Sequence, residues 1–159
     1  MMGDGLLAGL EGRLADWAWE PSFTPAAIEA TTGIPITTGP ILRSGRPRLG
    51  ISVEVEAQPN PIQLVWEQDE TLALVELTEP VIRPSLEAVR AAIGQPQATV
   101  PFGQGVHPGA EQQVYLDRGL TIFDAFNYGI SHVWLFRPTD LDGYVSGLGA
   151  RETMRRTPR

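Results

Sequence analysis

The feature that most constrains this chain is its similarity to itself. Shifting the 159-residue sequence by 61 positions lays Thr24 over Ser85, and the two stretches then run without a gap from 24–79 over 85–140. Ten of the 56 aligned positions are identical: Ala27, Ala30, Gly33, Pro35, Thr38, Pro40, Pro47, Val53, Leu74 and Thr78 with their counterparts. Average residue usage would give roughly four. Similarity at a fixed shift points to a duplicated unit, and a duplication dictates the fold more strongly than any single element does.

Each stretch opens with the signals of a short helix. Thr24 and Ser85 are hydroxyl residues suited to accept from the first free helical N–H groups. Pro25 fits the first helical turn, where no N–H is needed. Gly33-Ile34-Pro35 and Gly94-Gln95-Pro96 end the helices, because glycine takes a left-handed conformation cheaply and proline blocks continuation. Helices are therefore expected over 25–32 and 85–93. Apolar and polar residues alternate over 49–57 and 112–118, the pattern of half-buried strands. Strands over 61–67 and 71–77 follow in the first stretch, and over 120–126 and 131–137 in the second, with turns at Asn60-Pro61, Gln68-Asp69-Glu70, Asp117-Arg118-Gly119 and Asn127-Tyr128-Gly129. The segments between helix and first strand, with Pro40 over Pro101 and Pro47 over Pro108, read as loops.

A helix and three strands bury too little apolar surface to stand alone. Two such units can share one core. The expected fold is α+β: a single compact domain over 1–159, with two tandem helix-plus-three-strand antiparallel units forming one sheet of about six strands and the helices on one face. Leu6, Leu7, Leu10, Leu14 and Trp17 predict a further amphipathic helix over 5–19. Thr139, followed by Asp140 and Asp142, opens a last one over 139–148. A flexible basic tail, 150–159, carries Arg151, Arg155, Arg156 and Arg159. Strand 131–137 is apolar on both sides, Val133 and Leu135 against Trp134 and Phe136. It is either central and covered twice or one side is an exposed aromatic patch.

The two Gly-x-Pro helix endings, each followed by strands, resemble the tandem fold of the beta-lactamase inhibitor proteins and the small outer-membrane proteins related to them. That resemblance spans most of the chain and implies a non-enzymatic binder using the open face of its sheet. The chain departs from it in having no cysteine and no export signal. The leucine-rich opening, Leu6 to Leu14, is similar to the first helix of type III secretion chaperones, which dimerise and hold effector segments. The duplication explains the two halves without that topology.

The search for chemistry is mostly exclusion. His107 and His132 fall in different elements with no metal-ligand spacing, so no metal or cofactor is expected. The loop Gly103-Gln104-Gly105-Val106-His107-Pro108-Gly109 lacks the Lys-Ser or Lys-Thr ending of a phosphate cradle. No serine sits in a Gly-x-Ser-x-Gly elbow. A pocket between the units would draw first on Asp124, Glu111 and His107, and such a small enzyme or ligand-binding domain is one alternative.

The net charge of −7 removes the basic footprint that nucleic-acid binding needs. No apolar run nears the roughly 20 residues of a membrane span, and the first residues lack a signal-peptide pattern, so a cytoplasmic protein is expected. The leading expectation is a non-catalytic module that binds another protein with a basic surface, as an inhibitor or immunity protein does. A secretion-chaperone-like or assembly adaptor subunit is the other non-catalytic alternative. Trp134, Phe136, Tyr115 and Tyr128 are the expected aromatic anchors, with Glu54, Glu56 and Asp117 as acidic partners.

Overall fold

Thr24 and Ser85 act as the caps their chemistry suggests. In the computed structural model, which describes residues 24–33, 39–43, 46–53, 60–78, 85–101, 111–124 and 129–148, the Thr24 Oγ1 accepts from Ala27 N at 3.2 Å and the Ser85 Oγ from Ala88 N at 3.1 Å. The helices they open are α1 (Pro25–Thr32) and α2 (Leu86–Ile93). Both close on glycines with positive φ, Gly33 at 70° and Gly94 at 87°, whose N–H groups return to Glu29 and Arg90 carbonyls. A third helix, α3 (Leu141–Leu148), follows the last strand. A free N–H group of its first turn, on Gly143, is taken by the Asp140 carboxylate at 2.7 Å, so the cap is Asp140 and not Thr139. The expected helix over 5–19 and the tail 150–159 lie outside the described residues.

The strands are β1 (Gly39–Arg43), β2 (Arg46–Val53), β3 (Ile62–Trp66), β4 (Leu72–Thr78), β5 (Ala98–Pro101), β6 (Glu111–Tyr115), β7 (Leu120–Asp124) and β8 (Ile130–Phe136). They form one antiparallel sheet in the order β1-β2-β3-β4-β8-β7-β6-β5. The sheet thus holds eight strands where about six were expected. The two additions, β1 and β5, are the segments read as loops because of Pro40 and Pro101. Both are edge strands, where a missing N–H costs no ladder bond on the outer side. The element order helix then four strands occurs twice, and the halves meet where β4 pairs with β8.

The ungapped shift of 61 holds for the two helices but not for the last two strands of each half. The β3–β4 ladder joins Ile62 to Leu77, and β7–β8 joins Leu120 to Leu135, each residue 58 positions on. Both ladders carry an irregularity, at Val65/Trp66 and at Phe123/Asp124, again 58 apart. The connection from β2 to β3 (54–61) is longer than that from β6 to β7 (116–119), so the ladder ends Val53 and Tyr115 are 62 positions apart while Ile62 and Leu120 are 58. Leu74 over Leu135 and Trp134 over Ala73 are therefore not matched positions. Glu76 and Trp134 are matched, and they pair directly with each other across β4 and β8.

The core has two layers, one on each side of the sheet. Trp66, Leu72, Val75, Leu77, Leu120, Ile122, Ile130, Val133 and Leu135 pack with Val89 of α2. On the other side, Val65, Leu74, Val100, Val114 and Phe136 pack with Tyr144, Val145 and Leu148 of α3. The helices α2 and α3 cover opposite faces of the sheet. That is why β8 is apolar on both sides. Val133 and Leu135 face the α2 layer, while Phe136 and part of Trp134 face the α3 layer. Each large side chain taken fully from water contributes about 1.5–3 kcal/mol, so both layers are needed to hold the sheet together.

Among the described turn glycines, Gly119 is the one whose identity the packing dictates. It closes the β6–β7 turn at φ 62°, and a Cβ there would lie 1.8 Å from the Phe136 carbonyl oxygen. Its own carbonyl accepts from Phe136 N at 2.8 Å, tying the turn to the end of β8.

Candidate functional site

The middle of the α3 face carries one register row across the sheet. Ser52, Gln63, Glu76, Trp134, Thr121 and Val114 are successive cross-strand partners from β2 to β6. Side chains in such a row share a face. Val114 and Thr121 are buried, Trp134, Glu76 and Gln63 are half-buried, and Ser52 is exposed. The row therefore passes from core to surface as it crosses the sheet. Beside it, Thr78 pairs with His132 and His132 with Phe123. The indole N–H of Trp134 donates to the Glu76 carboxylate. Phe123 lies 4.7 Å from the Trp134 ring and 5.7 Å from the His132 ring, centroid to centroid. Trp134 in turn sits 6.4 Å from Tyr144, which lies 5.1 Å from Phe136. Five rings thus form a continuous aromatic strip from the half-exposed centre of the sheet to the buried underside of α3.

Tyr144 anchors α3 to this strip. Its hydroxyl donates to Gln112 Oε1 at 2.6 Å and accepts from Thr121 Oγ1 at 3.0 Å. All three residues are buried. Burial pushes the Tyr144 hydroxyl well above the ordinary phenol range, with the Thr121 hydrogen bond acting the other way. Tyr115 is also raised by burial, against the opposing charges of Arg90 and Arg118.

The expected partner residues scatter. Trp134 is at the half-exposed centre of the strip. Phe136 and Tyr115, expected as anchors, are core: Phe136 packs under α3, and Tyr115 lies in the α2 layer, where its hydroxyl donates to the Gly94 carbonyl at 3.2 Å. Asp117 is exposed in the β6–β7 turn and is not a member of the row. Tyr128, Glu54 and Glu56 lie outside the described residues, as does His107. Asp124 and Glu111 are cross-strand partners on β7 and β6, and Glu111 accepts from Gln113 Nε2 at 3.1 Å. Among the described residues, no group of three or more His, Asp or Glu side chains could hold a metal ion.

A second feature lies at one end of α3. A cleft of about 250 Å³ is bounded by the start of β4, the β8–α3 connection and the open side of α3. Arg48, Glu67, Thr71, Arg137 and Thr139 supply its polar wall, and Leu72, Phe136 and Leu148 its apolar wall. Arg48 is 1 % exposed. Its Nε and Nη2 donate to Glu67 Oε1 at 3.2 and 2.8 Å, and Nη2 also donates to the Gly147 carbonyl at 2.6 Å. A guanidinium at the last turn of a helix suits the negative end of the helix dipole. Its Nη1 is buried with no hydrogen-bond partner.

Arg48, Glu67, Tyr144 and Gln112 carry no sequence signal of their own. Arg48 alternates with Leu49 and Ile51 as any solvent-facing strand residue would. Only α3, brought across from 99 residues further along the chain, encloses it. Comparison with protein-family models, with curated proteins and with solved structures returns no match for this chain.

Proposed function

We propose that this protein is a non-catalytic module that binds another protein, of basic surface, through the centre of the α3 face. The observation that carries this reading is the row Gln63, Glu76 and Trp134, half-buried in the middle of a wide sheet, with Thr78 and His132 beside it. A rigid sheet holds these side chains in place before binding, which lowers the ordering cost of an interface. Trp134 offers an aromatic surface of the kind that dominates interface energetics. Glu76 and the net charge of −7 favour a cationic partner and a fast, salt-sensitive encounter. An inhibitor or immunity protein acting in the cytoplasm fits this description, as does an adaptor subunit. The resemblance of the Gly-x-Pro helix endings to the beta-lactamase inhibitor proteins agrees in kind, since it too implies a sheet-face binder.

We also propose that the two halves arose by duplication of one helix-plus-strands unit. The repeated element order, the two ladder irregularities 58 positions apart and the matched helix endings support it. Related chains, once aligned, should keep glycine and proline at the positions of Gly33, Pro35, Gly94 and Pro96. Their loss from one half alone would count against a duplication.

The binding reading is tested by capture of proteins from host lysate with the full tagged chain and with the variant Thr78→Arg. The substitution puts a positive charge beside Trp134 and Glu76, on the same face. One stoichiometric partner held by the parent chain, released as salt rises and lost with Thr78→Arg at unchanged thermal stability, is the expected result. A partner held equally by both chains, or none at all, would overturn the assignment of this surface.

A further inference from the structure

The unpartnered Nη1 of Arg48 points to a ligand site separate from the proposed partner surface. Buried polar groups in native proteins are nearly always hydrogen-bonded, and one that is not calls for an explanation. For a charged group the penalty of going unpaired is larger than for a neutral one. Here the guanidinium is pinned on two of its three nitrogens, by Glu67 and by the Gly147 carbonyl, so it cannot turn to relieve the third. The same residue lines a cleft whose other polar groups include a second arginine, Arg137, and the hydroxyls of Thr71 and Thr139.

We infer that this cleft binds a small aliphatic monocarboxylate, with Arg48 Nη1 donating to the carboxylate and Leu72, Phe136 and Leu148 receiving the apolar chain. The donor favours that class: Arg48 Nη1 is one buried cationic N–H group without an acceptor, which a single carboxylate satisfies. The volume favours it too: about 250 Å³ is below the roughly 300–1,000 Å³ of drug-sized pockets, so the occupant is small. Arginine pairs with carboxylates through directed, charge-assisted hydrogen bonds, whereas the apolar wall offers nothing to a bare inorganic ion. Gly147 keeps room at the α3 side, since a Cβ placed there meets nothing within 4 Å.

The test is a titration of the full-length ¹⁵N-labelled protein with butanoate, followed by amide shifts. Butyramide, of the same shape without the charge, and inorganic phosphate serve as controls. Saturable shifts at Thr71, Thr139 and Gly147 with butanoate, at least tenfold weaker with either control, are expected. Gly147→Met, which puts a side chain into the open space while leaving Arg48 in place, should abolish them without unfolding the protein. Arg48→Met should do the same. The absence of saturation by butanoate, an equal response to butyramide, tighter binding of phosphate, or an unchanged response in Gly147→Met would each overturn the inference.

Discussion

The indole N–H of Trp134 donates to the carboxylate of Glu76 directly across the ladder that joins the two halves of the sheet. These are the two matched positions of the β3–β4 and β7–β8 hairpins, so a carboxylate on one side answers an indole on the other at the centre of the join. Hydrogen bonds to charged groups contribute about 1.5–3 kcal/mol, and the lower part of that range applies where both partners are half-exposed. Trp134→Phe keeps the ring contact with Phe123 but removes the donor. It should lower stability by about 1–2 kcal/mol in urea denaturation, and Glu76→Gln, which keeps an acceptor, should lower it less. Equal losses would mean that the carboxylate charge supplies the whole contribution of this bond and a neutral acceptor none.

Gly119→Ala tests the clamp between the β6–β7 turn and β8. Positive φ and a Cβ 1.8 Å from the Phe136 carbonyl act together at this position. Backbone strain of this kind costs on the order of 1–3 kcal/mol, and the displaced Phe136 carbonyl adds to it. The expected readout is a marked drop in melting temperature. Gly33→Ala, at φ 70° with open space around it, should cost less.

Tyr144 makes stability depend on alkaline pH. Its folded-state hydroxyl titrates above its ordinary value near 10 because ionising it would bury a charge. The unfolded chain therefore releases this proton first. The stabilisation is complete below about pH 10 and is lost as pH rises beyond it. Tyr144→Phe leaves Gln112 and Thr121 without their shared partner. That should cost about 1–3 kcal/mol at neutral pH. The same variant should lose less stability than the parent between about pH 9 and about pH 11. Parallel pH profiles for the two proteins would refute the linkage.

Arg48 and Glu67 should respond unequally to substitution. Removing Glu67 leaves a buried guanidinium with the Gly147 carbonyl as its acceptor, whereas Arg48→Met replaces the charge with an apolar chain of similar length. Breaking one side of a buried pair costs about 3–5 kcal/mol, while replacing buried charge by apolar packing is often neutral. Glu67 is 34 % exposed, so water softens the first figure to roughly 1–3 kcal/mol. Glu67→Ala should therefore destabilise more than Arg48→Met in chemical denaturation. The reverse order would show that α3 depends on the arginine itself.

The local chemistry of the chain was legible. Thr24, Ser85, Gly33 and Gly94 announce the two helices because side-chain capping and closure on a glycine of positive φ are properties of single residues and their near neighbours. The alternation around Ile51 and around Val114 announces strands because side chains alternate faces whatever the partner strand is. Two strands are not legible in this way, β1 and β5, since Pro40 and Pro101 read as loop residues until the sheet places them on its edges.

The inventory of elements is written locally in the chain: α+β, with helix then strands occurring twice over. Which residues are available follows from the packing of distant elements. Phe136, Trp134 and Tyr115 look alike in the sequence, yet α3 buries the first and leaves the second half-open, while the third packs in the layer on the opposite face. Arg48 looks like a surface residue and becomes the most buried charge described, because a helix from the far end of the chain closes over it. The physical reason is the same in each case. Caps, turns and alternation are set by neighbours within a few residues, whereas burial and charge pairing are set by which face of the sheet a distant helix covers.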